Sequence, residues 1–161
     1  MSELIVQRAT LGDVEEMHRL INYFASKELM LPKSRNSLYQ HIRDFFIIKK
    51  DGMFAGCGAL HVLWSDLGEI RSLAVDERYQ GNGVGRKIVK ALLQDAADLR
   101  LPRVFALTYQ EAFFERLGFV QVEKETMPRK VWGECMDCPK FPNCDEIAVV
   151  MDAPFVLMGE S

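Results

Sequence analysis

The stretch Gln80-Gly81-Asn82-Gly83-Val84-Gly85-Arg86 constrains this chain more than any other. It follows Glu69-Ile70-Arg71-Ser72-Leu73-Ala74-Val75, whose apolar and β-branched residues predict a strand. It opens a segment in which Val84, Ile88, Ala91, Leu92 and Leu99 fall on one helical face. A glycine turn between a strand and a helix is an anion site, because backbone N–H groups converge there and the helix dipole adds positive potential. Glycine also lets a ligand approach the main chain closely. A phosphate-bearing ligand is the natural occupant.

Spacing narrows the choice of ligand. A dinucleotide fingerprint requires Gly-x-Gly-x-x-Gly, yet the sixth position is Arg86 counted from Gly81 and Ile88 counted from Gly83. A Walker A loop fails as well, since Arg86 stands where its second glycine is needed and no Gly-Lys-Ser/Thr follows. NAD and ATP are therefore disfavoured.

The rest of the chain predicts a mixed α+β domain over residues 1–161. A strand over Leu4 to Arg8 leads to Thr10 and Asp13, a helix-capping pair, and a helix starting near Leu11 with Leu11, Val14, Met17, Ile21 and Phe24 on its apolar stripe. Pro32 breaks that helix, and Leu38, Ile42 and Phe45 predict a short second one. Asp51-Gly52 between two apolar runs predicts a hairpin. After the glycine turn, Pro102 is expected to end the helix. A buried strand over Val104 to Leu107 follows, then a short helix capped by Gly118 and two more strands over Phe119 to Val122 and Ile147 to Met151. Strict βαβ alternation is absent, which points to a mixed sheet.

With 20 Lys+Arg against 23 Asp+Glu, the net charge of -3 argues against a general nucleic-acid binder. No run approaches the twenty or so apolar residues of a membrane span, and the N-terminus lacks a secretory pattern, so a cytoplasmic chain is expected. The four cysteines are too few and too clustered for a disulfide framework. Cys135, Cys138 and Cys144 form Cys-x2-Cys-x5-Cys within an irregular loop at about 126–145. They could supply three zinc ligands, but no fourth is nearby, so no metal is expected. The alternative is a thiol-rich loop that shapes an acceptor pocket or a subunit contact, which leaves room for a homodimer.

The glycine turn resembles the pyrophosphate loop of the GNAT acetyltransferases, Gln/Arg-x-x-Gly-x-Gly/Ala, as does the later Phe113-Phe114-Glu115-Arg116-Leu117-Gly118-Phe119. The resemblance runs from Ile5 to about Val122. It implies the GNAT (acyl-CoA N-acyltransferase) fold, a mostly antiparallel sheet of about seven strands flanked by helices and splayed where acetyl-CoA binds. It further implies pantetheine binding along Leu73, Ala74 and Val75, pyrophosphate binding at Gln80, Gly81, Asn82, Gly83, Val84, Gly85 and Arg86, and a cofactor contact at Phe114. Gly56 to His61, Glu69 to Val75, Phe105 to Tyr109 and Cys138 to Glu146 resemble more closely the short stand-alone bacterial N-acetylglutamate synthases, so the implied acceptor is the α-amine of L-glutamate.

Amide formation needs a neutral amine and hence a proton acceptor. Glu69 holds the position, six residues before Val75, that resembles the general base of GNAT histone acetyltransferases; an ion pair with Arg71 is the alternative. The usual family tyrosine is replaced by Phe114, leaving Tyr109 as a stand-in acid. A dicarboxylic acceptor calls for cations, and Arg71, Lys33 and Arg35 are the candidates, with Ser72 as a weaker contact and His61 weaker still. Another small amine or a protein N-terminus as acceptor, and a non-catalytic acetyl-CoA-binding regulator, are the alternatives.

Overall fold

The computed structural model describes residues 3–127 and 146–152. Apolar and β-branched runs build seven strands among the described residues: β1 (Leu4–Arg8), β2 (Phe45–Lys50), β3 (Met53–Trp64), β4 (Leu67–Val75), β5 (Arg103–Thr108), β6 (Val120–Val122) and β7 (Ile147–Asp152). Four α-helices accompany them among the described residues: α1 (Val14–Ala25), α2 (Arg35–Gln40), α3 (Val84–Asp98) and α4 (Glu111–Arg116). The strand order is β1-β2-β3-β4-β5-β7-β6, a mixed sheet as expected. Contacts group the chain into two compact units, Met1–His61 with Ile70–Asp95, and Val62–Glu69 with Ala96–Ser161.

In the first unit β1, β2 and β3 pair antiparallel, with Val6 opposite Ile48 and Ile47 opposite Cys57. The β2–β3 turn is the Asp-Gly turn expected from the sequence, with both Asp51 (φ 51°) and Gly52 (φ 83°) left-handed. Val14, Met17, Leu20, Ile21 and Phe24 of α1 are buried with Phe45, Ile47, Cys57, Ala59 and Ala74 in one core. Leu11 is a correction to the expected stripe. It lies in a 3-10 turn over Leu11–Asp13, 60% exposed, because the Thr10–Asp13 capping box holds that turn ahead of the first α-helical residue.

The seating of α3 is set by two strand glycines. A β-carbon at Gly56 would stand 2.8 Å from the Ala74 carbonyl oxygen, and one at Gly58 would stand 2.8 Å from the Ile88 side chain and 3.3 Å from Leu92. Glycine is required here for close approach rather than for a turn.

β4 carries a second irregularity. Ser72 has φ 55°, a left-handed conformation inside an extended strand, and its carbonyl accepts a hydrogen bond from the Cys57 thiol at 3.7 Å. Such a conformation costs a non-glycine residue on the order of 1–3 kcal/mol, sustained by the structure around it.

In the second unit the start of β4 pairs parallel with β5, at Gly68–Val104 and Glu69–Phe105, while β7 pairs antiparallel with both β5 and β6. Leu67, Phe105, Met127 and Val150 form its core. The end of α3 differs from expectation. The helix stops at Asp98, where Arg100 turns left-handed (φ 60°) and Leu101 N–H returns to the Ala96 carbonyl. The stop is thus a left-handed C-terminal cap rather than Pro102, and Leu99, past the helix, is 54% exposed. Gly118 (φ 103°) ends α4 as expected. Cys135, Cys138 and Cys144 lie outside the described residues.

Two stability outcomes follow. Gly56→Ala, whose new methyl meets backbone, should destabilise by roughly 1–3 kcal/mol and more than Gly58→Ala, whose methyl meets a movable side chain; equal unfolding midpoints in denaturant would contradict this. At Ser72, the β-branched substitution Ser72→Val should cost about 1–2 kcal/mol, whereas Ser72→Gly should shift stability by less than about 0.5 kcal/mol. Unchanged thermal unfolding of Ser72→Val would show that the left-handed backbone is not required.

Candidate active site

In the first unit, β4 delivers the chain into the glycine turn through a charged cap. Burial leaves Asp76 only 7% exposed. Its carboxylate accepts from Arg78 N–H at 3.0 Å and from the Arg78 guanidinium at 3.1 Å on each oxygen, while its own N–H donates to the Ala55 carbonyl at 2.9 Å. Hydrogen bonding to Arg78 holds the Asp76 carboxyl below its ordinary range. The 3-10 turn Glu77–Tyr79 that Asp76 caps is tied to α1, since Tyr23 Oη donates to Glu77 at 2.6 Å and Lys27 Nζ lies 3.5 Å from the same carboxylate.

The turn itself is exposed from Gln80 to Gly83. Gly81 (φ 85°) and Gly83 (φ 79°) are both left-handed, with open space where a β-carbon would stand. Gln80 Nε2 donates to the Val75 carbonyl at 3.2 Å and Asn82 Nδ2 to the Tyr79 carbonyl at 3.1 Å, which fixes the loop from within. Lys87 N–H makes the first helical bond, to the Gly83 carbonyl. The N–H groups at the start of α3, from Val84 to Arg86, have no preceding turn to bond to, and α3 is 15 residues long. Arg86 is exposed beside them. Open left-handed glycines and a helix N-terminus fit a pyrophosphate.

The proposed acceptor residues are partly committed to other partners. Asn22 clamps the segment after α1, its amide nitrogen donating to the Lys33 carbonyl at 2.8 Å and its oxygen accepting from Lys33 N–H at 3.1 Å. Ser34 caps α2 by accepting from Ser37 N–H. Arg35 forms a forked ion pair with Glu15, at 2.8 and 3.0 Å, which lowers the carboxyl's pKa. Arg71, Ser72, Leu73 and Val75 are half-buried along β4, and Ala74 is buried. His61 Nδ1 lies 3.2 Å from Asp44 Oδ2, and its ring meets His41 edge-on at 5.8 Å, a partnered histidine.

In the second unit Glu69 is 6% exposed on β4. Tyr109 is half-buried just after β5, where Thr108 Oγ1 accepts from Gln110 N–H at 2.7 Å. Phe114 is buried in an aromatic stack, 5.1 Å from both Phe113 and Phe119. Among the described residues no group of three or more His, Cys, Asp and Glu side chains is arranged to hold a metal, and no helix is long and apolar enough to cross a membrane.

Sequence reasoning had no signal for Asp76, Asn22 or the tie from Tyr23 to Glu77, which depend on residues brought together by folding. For Asp76 the pH dependence has a definite sign. Its folded pKa is depressed, so its contribution to stability is present above the unfolded value of about 3.9 and fades as pH falls through the lower folded value. Asp76→Asn should therefore be less stable than the parent at pH 7, with the gap closing below about pH 4. A gap independent of pH would refute the charged cap.

The chain matches the Acetyltransferase (GNAT) family over residues 12–119. It is 43% identical over 133 residues to an amino-acid acetyltransferase of Mycobacterium tuberculosis, covering 81% of this chain and 76% of the relative. A Mycobacterium tuberculosis protein solved in complex with CoA superimposes with a TM-score of 0.81 at 37% identity, covering 92% of this chain and 98% of that one. The N-acetylglutamate synthase of Neisseria gonorrhoeae, solved with coenzyme A and N-acetyl-glutamate, gives a TM-score of 0.84 at 25% identity, with 94% of this chain matching 35% of that longer one. The glycine turn, the strand that feeds it and these likenesses agree: the chain belongs to the GNAT family of acetyltransferases.

Proposed function

We propose that the chain transfers the acetyl group of acetyl-CoA to the α-amine of L-glutamate, the first step of arginine biosynthesis, by direct attack within a ternary complex in the cytoplasm. The observation that carries the reading is the turn at Gly81 and Gly83, open and left-handed, against the N-terminus of α3. The Neisseria gonorrhoeae relative, solved with both coenzyme A and N-acetyl-glutamate, supports the choice of donor and acceptor.

In this reading the N–H groups of Val84, Gly85 and Arg86, the left-handed backbone of Gly81 and Gly83 and the side chains of Gln80 and Asn82 hold the pyrophosphate. The main chain of Leu73, Ala74 and Val75 orients the pantetheine arm, and Phe114 is a further cofactor contact. Bound there, acetyl-CoA supplies an acyl thioester, activated toward amines.

The acceptor amine is mostly protonated at pH 7, so a base must take a proton before or during attack. Glu69, 6% exposed on β4, is that base, its carboxylate taking the proton that the amine gives up. Tyr109 is the acid that assists the departing thiolate. Arg71 binds a substrate carboxylate, and Lys33 and Ser72 are further acceptor contacts. Arg35 would exchange Glu15 for the second carboxylate, a substitution of one fork partner for another.

The test follows acetyl-CoA-dependent thiol release with L-glutamate and a panel of other amines. Arg71→Ala should raise the KM for glutamate roughly 10- to 100-fold, the worth of a charged hydrogen bond or two. Glu69→Gln should lower kcat by about 100-fold or more and flatten its dependence on pH. Turnover confined to another amine would replace glutamate as acceptor. A Glu69→Gln enzyme with unchanged kcat across pH would remove Glu69 from the mechanism.

A further inference from the structure

Cys57 is the buried nucleophilic group that the proposed chemistry leaves unused. It is 0% exposed, and burial pushes its thiol up to about 12. At neutral pH it is therefore S–H, unable to act as a thiolate nucleophile or metal ligand but able to donate a hydrogen bond. It donates to Ser72, the left-handed residue of β4.

The surroundings make that bond consequential. Cys57 is flanked on β3 by Gly56 and Gly58, which face α3 with no side chain of their own. Cys57 itself joins Ala59 and Ala74 in the core shared with α1. Gly56, Gly58, Ala59 and Ala74 are each smaller than cysteine. Directly after Ser72 come Leu73, whose side chain lies 3.2 Å from the β-carbon position of Gly58, and Ala74, whose carbonyl lies 2.8 Å from that of Gly56. The backbone that changes direction at Ser72 is thus continuous with the stretch assigned to the pantetheine arm.

We propose that Cys57 is a positioning residue: its thiol, by donating to the Ser72 carbonyl, holds the left-handed backbone that sets how Leu73 and Val75 present their main-chain groups to the pantetheine arm of acetyl-CoA. This rests on the donor-site assignment made above. Cys57 touches no substrate and acts only through β4. Serine in its place keeps a donor. Valine fills similar space without one, and alanine removes both donor and volume.

The experiment measures acetyl-CoA binding by calorimetry for the wild type, Cys57→Ser, Cys57→Val and Cys57→Ala. A second titration uses adenosine 3′-phosphate 5′-diphosphate, the fragment of CoA that ends before pantetheine. Loss of the donor should weaken acetyl-CoA binding roughly three- to tenfold in Cys57→Val and Cys57→Ala, the worth of one net hydrogen bond. Cys57→Ser should stay within about twofold of wild type, and fragment binding should be unchanged throughout. If Cys57→Ala does not fold, Cys57→Val carries the comparison. The proposal is overturned if the donor-free variants bind acetyl-CoA as wild type does, if Cys57→Ser weakens as much as they do, or if fragment binding falls in parallel. Wild-type protein that binds no acetyl-CoA would overturn the donor-site assignment and this inference together, whereas wild-type binding with unchanged variants overturns this inference alone.

Discussion

The close approach of α3 to β3 and β4 is the constraint on which the first unit depends. A helix packs on a sheet at a distance set by the side chains between them, and here two β-carbons are missing, at Gly56 and Gly58. Ile88 and Leu92 fill the space instead and are fully buried. Because α3 is thereby fixed against the strand that feeds it, its first N–H groups occupy a defined place beside the glycine turn. An anion site made from backbone has no side chain to adjust, so its accuracy is inherited from the packing behind it.

Charge serves a related purpose. Oppositely charged side chains meet in pairs: Arg78 with Asp76, Lys27 with a Glu77 that also accepts from Tyr23, Arg35 with Glu15, and Arg8 with Asp95 at 2.7 Å. The exposed pairs among them, such as Arg35 with Glu15, contribute little stability. Their consequence is orientation. Two of them hold the short turn between β4 and the glycines, and a third holds α2 against α1 across the segment assigned to the acceptor. Asn22 completes that arrangement by giving the Lys33 backbone the hydrogen bonds that neither a helix nor a strand supplies there.

Much of the fold was legible because it rests on local rules. The order of elements, the Asp51-Gly52 hairpin, the capping box at Thr10 and Asp13, the glycine turn and the cap at Gly118 each have a short-range signal, and each is found. What escaped has no local signal. Ser72 adopts a glycine-like backbone without being glycine, and the group that donates to its carbonyl, Cys57, is fifteen residues away. The end of α3 was placed by Pro102, the conspicuous breaker, while the actual stop is a left-handed arginine two residues earlier. Leu11 and Leu99 fit the helical period but lie beyond the helix ends, where period no longer implies burial. The donor residues could be read as one contiguous motif. The acceptor residues are scattered single charges, each of which also has an ordinary structural use, as the pairing of Arg35 with Glu15 illustrates.

Cys57 offers a last consequence, in the language of chemical labelling. A thiol with no exposed surface and a pKa near 12 presents neither access nor thiolate to an alkylating reagent while the first unit is closed. Reaction at this sulfur requires β3 and α1 to part, and the rate at which it acquires a label counts those openings. The strand that is proposed to set the donor site therefore contains its own clock, one that runs only when the packing behind the site comes undone.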